Sequence, residues 1–79
     1  MEEQLADTVR NNLLKHFPEE DNEWETRGST IFLINGKRLY LVRWKNALYI
    51  SLWGWWRLLI KNKSELDLLS EYIGVNLMD

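Results

Sequence analysis

Two hairpin signals between Ile31 and Ile60 constrain this chain more than any other feature, because each sets a strand register and so the direction of every side chain in three apolar runs. Asn35-Gly36 is the stronger. A two-residue type I′ loop needs positive φ at both central positions, which Asn and Gly tolerate. The expected pairs are Ile34 with Lys37, Leu33 with Arg38, Phe32 with Leu39, Ile31 with Tyr40 and Thr30 with Leu41. Lys45-Asn46 is a weaker two-residue turn that pairs Trp44 with Ala47, Val42 with Tyr49, Leu41 with Ile50 and Tyr40 with Ser51.

Side chains alternate across a strand, so this register separates two faces. Phe32, Ile34, Leu39, Leu41, Leu48, Ile50 and Leu52 make an almost purely aliphatic face, the expected core. Ile31, Leu33, Tyr40, Val42, Trp44, Tyr49 and Trp53, with Arg38 and Ser51 among them, make an aromatic and mixed face. A turn one residue longer at Lys45-Asn46 would exchange the faces of the last strand.

The flanks read as helices. Leu5, Val9 and Leu13 recur at helical spacing, Ala6, Leu14 and Phe17 widen the stripe, and Pro18 closes a helix expected over Glu2–Phe17. Glu19–Glu23 reads as an acidic loop, and Trp24–Thr30 as a strand broken near Gly28 that leads into Ile31–Ile34. Gly54 turns the chain into a further strand, Trp56–Lys61. Ser64, followed by Asp67, opens a second helix whose stripe is Leu66, Leu69 and Ile73 and whose stop is Gly74; Val75–Asp79 is a tail or a short strand. The expected fold is one domain, residues 1–79, of the α+β class: a two-layer arrangement of an N-terminal helix, a four- to five-stranded antiparallel meander sheet and a C-terminal helix. Two helices suffice to cover one face. The second face then meets water, one of the helices, or another molecule.

A net charge of −2 conceals a partition: residues 1–25 sum to −6, residues 26–63 to +8 and residues 64–79 to −4. Either the acidic flanks neutralise the basic sheet within the fold, or the basic sheet grips an anion such as a nucleic-acid strand. The chain has no cysteine, which removes disulfides, thiolate nucleophiles and thiolate metal sites and points to a reducing, cytoplasmic setting. Its N-terminus is acidic where a signal peptide would be basic and then apolar, and Arg, Lys or Asn interrupt every apolar run short of a membrane span.

Chemistry finds little support. His16, the one histidine, sits near the end of the first helix, a common structural place for an imidazolium, with no nucleophile motif around it. Glu19, Glu20, Asp21, Glu23 and Glu25 lack the spacing of a calcium loop, and the four glycines are scattered as turn and cap residues with no phosphate-cradling run. No catalytic residue, metal ligand or cofactor is expected.

Contact remains. Five tryptophans are many for 79 residues, and Trp53, Trp55 and Trp56 straddle Gly54. Trp, Tyr and Arg are the types enriched at interface anchors. Trp53 and Trp56 are expected to pair on the aromatic face with Trp55 at the loop tip; Trp24, Trp44, Trp53 and Trp56 fit the core as well as an interface. The candidate partner-binding set is Trp53, Trp55, Trp56, Tyr40, Trp44, Tyr49 and Arg38. The leading expectation is a small non-enzymatic regulatory or inhibitor-like protein, of the kind bacteria and their phages encode, that docks on a protein and forms a homodimer. Binding of single-stranded nucleic acid through the basic aromatic sheet is the second reading. Acidic mimicry of DNA through residues 19–25 and the helices is the third.

Overall fold

The structure is a computed structural model that describes residues 3–45, 47–52, 56–60 and 63–78. The elements run α1 (Glu3–Leu14), β1 (Glu19–Glu23), α2 (Trp24–Arg27), β2 (Ser29–Ile34), β3 (Lys37–Trp44), β4 (Ala47–Leu52), β5 (Trp56–Ile60) and α3 (Lys63–Ile73). The strands form one antiparallel meander in the order β1-β2-β3-β4-β5. This is the α+β two-layer architecture expected of two terminal helices and alternating central runs.

Both turns act as their residues require. Asn35 and Gly36 adopt φ of 50° and 79°, and all five expected β2–β3 pairs form. Lys45 adopts φ of 56°, and β4 pairs with β3 in the two-residue register, Trp44 with Ala47 through Tyr40 with Ser51. Every member of the aliphatic row is consequently buried. Ala6, Val9 and Leu13 of α1 and Leu66 and Leu69 of α3 join that row in a single core. Both helices therefore lie on the same side of the sheet, and the arrangement with one helix on each face is not formed. Aliphatic stripes pack best into an aliphatic row, whereas Tyr and Trp carry polar atoms that favour the wet side.

Three local readings are corrected. Glu19–Glu23 is an edge strand, not a loop: Leu33 N–H donates to Pro18 O at 3.0 Å, Asp21 faces Ile31 and Glu23 faces Ser29, with a bulge between Glu19 and Asp21. Charged side chains and a bulge are usual protections of a sheet edge. Trp24–Arg27 is a helical turn and not strand, stopped by Gly28 at φ 71°, whose N–H donates to Trp24 O at 3.0 Å. The first helix ends at Leu14, because Lys15 and His16 N–H groups bond to the carbonyls three residues back while Phe17, ahead of Pro18, is steered away from helical ψ. Leu14 is exposed and Asn12 is buried in the core.

At the other end Gly74, φ 82°, stops α3, and Val75 N–H returns to Ser70 O at 3.2 Å. The following residues are not a strand. Leu77 is buried, held by Asn12 Nδ2 donating to its carbonyl at 2.8 Å and by its own N–H donating to Ser70 Oγ at 3.1 Å.

Candidate functional site

With the helices on one side, the outer face of the sheet presents the mixed row. Ile31, Leu33, Tyr40 and Val42 are half-buried, Trp44 is 59% exposed and Tyr49 41% exposed. Val42 and Tyr49 are directly paired, as are Ile31 and Tyr40. Lys45 Nζ stands 4.9 Å from the centroid of the Trp44 ring, a cation on an aromatic face in water. Arg38 closes one end of the face. Its Nε donates to Glu20 Oε2 at 2.7 Å, and this hydrogen bond together with the carboxylate charge holds the guanidinium above its ordinary range.

Tyr40, Trp44, Tyr49 and Arg38 are thus brought to one side of the sheet, around β3 and β4. Trp53 and Trp55 lie outside the described residues. Trp56 opens β5 opposite Leu52, so the pairing expected between Trp53 and Trp56 is not the one formed. A one-residue shift of this kind is enough to exchange the faces of a strand.

Trp24 belongs to the interior, 1% exposed, and anchors a polar network that pattern reading does not reveal. Its Nε1–H donates to Asp7 Oδ1 at 2.6 Å, and Arg43 donates from Nη1 to the same oxygen and from Nη2 to Trp24 O, both at 2.9 Å. The Arg43 guanidinium sits 4.6 Å from the indole centroid and that of Arg10 5.8 Å. Arg10 reaches on to Glu19 with two contacts of 3.2 Å, and the Thr30 hydroxyl lies between the Glu19 carboxylate and Asp21 O. The only hint in the linear sequence is the charge partition. Asp7 with Arg43, Glu20 with Arg38 and Glu23 with Arg27 each join the acidic first segment to the basic middle one. Internal neutralisation is what these pairs accomplish.

Among the described residues no group of three His, Cys, Asp or Glu side chains is placed to hold a metal ion, and no helix is long and apolar enough to cross a membrane. His16 is exposed beside Phe17. A groove at the first hairpin is lined by Leu33, Gly36, Lys37 and Arg38, the last of which is the base paired with Glu20. The chain matches no family model, no curated protein and no solved structure.

Proposed function

We propose that this chain is a non-enzymatic regulatory or inhibitor-like protein that acts by pressing the outer face of its sheet against a protein surface. The observation that carries this reading is the placement of both helices on the aliphatic side, with Tyr40, Val42, Trp44 and Tyr49 together on the other and Trp44 and Tyr49 exposed there. Aromatic groups with a polar tip supply large contact area at small entropic cost, and contiguous apolar patches of more than a few hundred Å² mark interaction surfaces. Covering on the order of 500 Å² of such surface, at about 25 cal/mol per Å², yields roughly 12 kcal/mol. Association costs about 4–15 kcal/mol, so a partner must take most of the face and not one edge of it. The cysteine-free composition suits action in the cytoplasm.

The nucleic-acid reading loses support from the same geometry: Arg43 turns inward to Asp7, and Arg38 is engaged by Glu20. Mimicry of DNA loses it too, since Asp7, Glu19, Glu20 and Glu23 are each paired with an arginine of the same chain.

The test compares immobilised wild-type protein with a Trp44→Ser, Tyr49→Lys variant of matching circular dichroism in lysate of the cells that make it. The retained protein is identified by mass spectrometry, whether foreign or this chain itself. A species held by the wild type and depleted at least tenfold on the variant is expected. Equal retention on both overturns the reading. Binding of a labelled single strand of DNA at physiological salt, falling by about 0.7 log units per log salt for each phosphate contacted, overturns it in favour of nucleic acid.

A further inference from the structure

We infer that the outer face is closed by a second copy of this chain, packed sheet to sheet about a two-fold axis that runs along β3 in the interface plane. Edge strand β1 of each copy then lies over edge strand β5 of its partner. The inference rests on the contact reading above and fixes the occupant of that face.

The ladder registers carry it. Asp21 pairs with Ile31, Ile31 with Tyr40, Tyr40 with Ser51 and Ser51 with Arg57, so these five residues form one row straight across the sheet. The row starts with an acid at one edge, passes through an apolar and aromatic centre, and ends with a base at the other. The neighbouring row, Glu23, Ser29, Val42, Tyr49 and Leu59, likewise has its acid on β1. Strand β1 reads Glu-Glu-Asp-Asn-Glu, and β5 reads Trp-Arg-Leu-Leu-Ile with no acid. Asp21 is exposed, and among the described residues its carboxylate makes no ion pair or side-chain hydrogen bond.

Two aligned sheets can face each other about either of two in-plane two-fold axes. An axis across the strands sets Asp21 against Asp21 of the partner subunit and β1 against β1, with like charges opposed. The axis along β3 exchanges the edges, bringing Asp21 over Arg57 of the partner subunit while Tyr40 meets its own symmetry mate near the axis. An isologous contact needs a self-complementary surface, and only the second axis makes this one so. A foreign surface would have to invert the same acid-to-base row, whereas a second copy carries the inversion by symmetry.

The area is sufficient. Five strands about 4.8 Å apart, of five to eight residues at about 3.3 Å each, span roughly 24 by 20 Å, or about 500 Å² of projected face per copy. The molecule's 29 × 28 × 23 Å extents accommodate such a face. Two faces come to about 1,000 Å² before side-chain relief is added, which brings the contact to the range of about 1,200–2,000 Å² typical of stable interfaces. Face-to-face sheets of this kind pack about 10 Å apart and within about 30° of parallel. A foreign protein that uses the same face must displace the second copy, so regulation by contact would proceed through exchange of the homodimer.

Sedimentation equilibrium from 0.1 to 100 µM tests the inference. A mass of twice the 9.5 kDa chain is expected in the upper part of the window. Asp21→Arg and Arg57→Glu should each weaken dimerisation at least tenfold, since each alters two contacts per dimer, and the double reversal should return it to within threefold of wild type. Asp21 and Tyr49 are exposed and Arg57 belongs to edge strand β5, and circular dichroism checks each fold; Tyr49→Lys provides an independent disruption at the centre. A monomer at 100 µM overturns the inference. So does a dimer indifferent to Tyr49→Lys and to both reversals, which would place the contact on another surface such as an edge-to-edge pairing of β5. A monomer whose Tyr49→Lys variant still loses a foreign protein refutes the second copy but leaves the contact reading standing; if capture is also unchanged, both fall.

Discussion

Gly28→Ala should be among the most damaging single-methyl additions in this protein, and its cost can be worked from two neighbours. Gly28 holds φ of 71°, caps α2, and accepts the 2.8 Å hydrogen bond from Arg43 N–H that ties the α2 turn to β3. A Cβ there would lie 2.9 Å from Arg43 Cγ and 3.0 Å from the Arg43 carbonyl oxygen, well inside the roughly 3.5–4.0 Å of ordinary carbon contacts. Neither neighbour yields easily, because the carbonyl belongs to a central strand and Cγ is the root of a side chain pinned to Asp7 and Trp24. Left-handed backbone costs alanine about 1–2 kcal/mol, of which the stiffer unfolded chain returns about 0.4–1 kcal/mol. Overpacking adds about 1–3 kcal/mol, for a net loss of about 1–5 kcal/mol, centred near 3. Gly74→Ala is the internal control: φ is 82°, yet nothing lies within 4 Å of its added Cβ, so only the backbone contribution of about 1 kcal/mol applies. A domain of this length has about 4–12 kcal/mol of stability in all. The difference between the variants, about 2 kcal/mol, corresponds to about 8–16 °C in Tm. Urea unfolding followed by tryptophan fluorescence, at one fixed low protein concentration so that association does not contribute, measures both. If Gly28→Ala loses no more than Gly74→Ala, the close approach of Arg43 to the α2 cap is wrong.

Two further perturbations separate structural from surface roles. Arg43→Ala should cost about 2–3 kcal/mol in the same urea assay, through the lost charge-assisted bonds to Asp7 and Trp24 and the lost stacking on the indole. Arg38→Ala, whose pair with Glu20 is in solvent, should leave the unfolding midpoint within error of wild type; equal losses at the two arginines would contradict the inward placement of Arg43. Asn12→Ala should cost about 1–3 kcal/mol by stranding the Leu77 carbonyl, and should accelerate hydrogen exchange at the Leu77 amide; unchanged exchange would show that the tail is held by Leu77 burial alone.

The outer surface is unlike the interior in how far local rules reach it. Asn35-Gly36 and Lys45-Asn46 act through the φ of their own residues, and side-chain alternation propagates each choice along a whole strand, so the β2–β3–β4 register and all seven residues of the aliphatic core row were legible before any packing was known. The terminal helices were legible for the same reason, since a stripe at helical spacing needs no knowledge of its partner. Beyond Leu52 the reach ends: the start of β5 opposite Leu52 depends on the length of a connection whose residues Trp53, Gly54 and Trp55 permit more than one turn.

Other features belong to the tertiary structure alone. Glu-Glu-Asp-Asn-Glu has no apolar alternation to announce a strand, and β1 exists because Leu33 offers its N–H to Pro18, Thr30 supports Glu19 and Asp21, and Arg10 comes down from α1 onto Glu19. Trp24 suited a core and an interface equally until Asp7 and Arg43, 17 and 36 positions apart from their partners in the chain, closed around it. Whether both helices would take the aliphatic face or one would cover the other face was undetermined by periodicity, because a stripe specifies that a helix must be buried but not against what. Packing decided it: Val9 and Leu13 of α1 and Leu66 and Leu69 of α3 are buried in one core with the aliphatic row, whereas a helix over Tyr40, Val42, Trp44 and Tyr49 would have forced hydroxyl and indole N–H groups away from water.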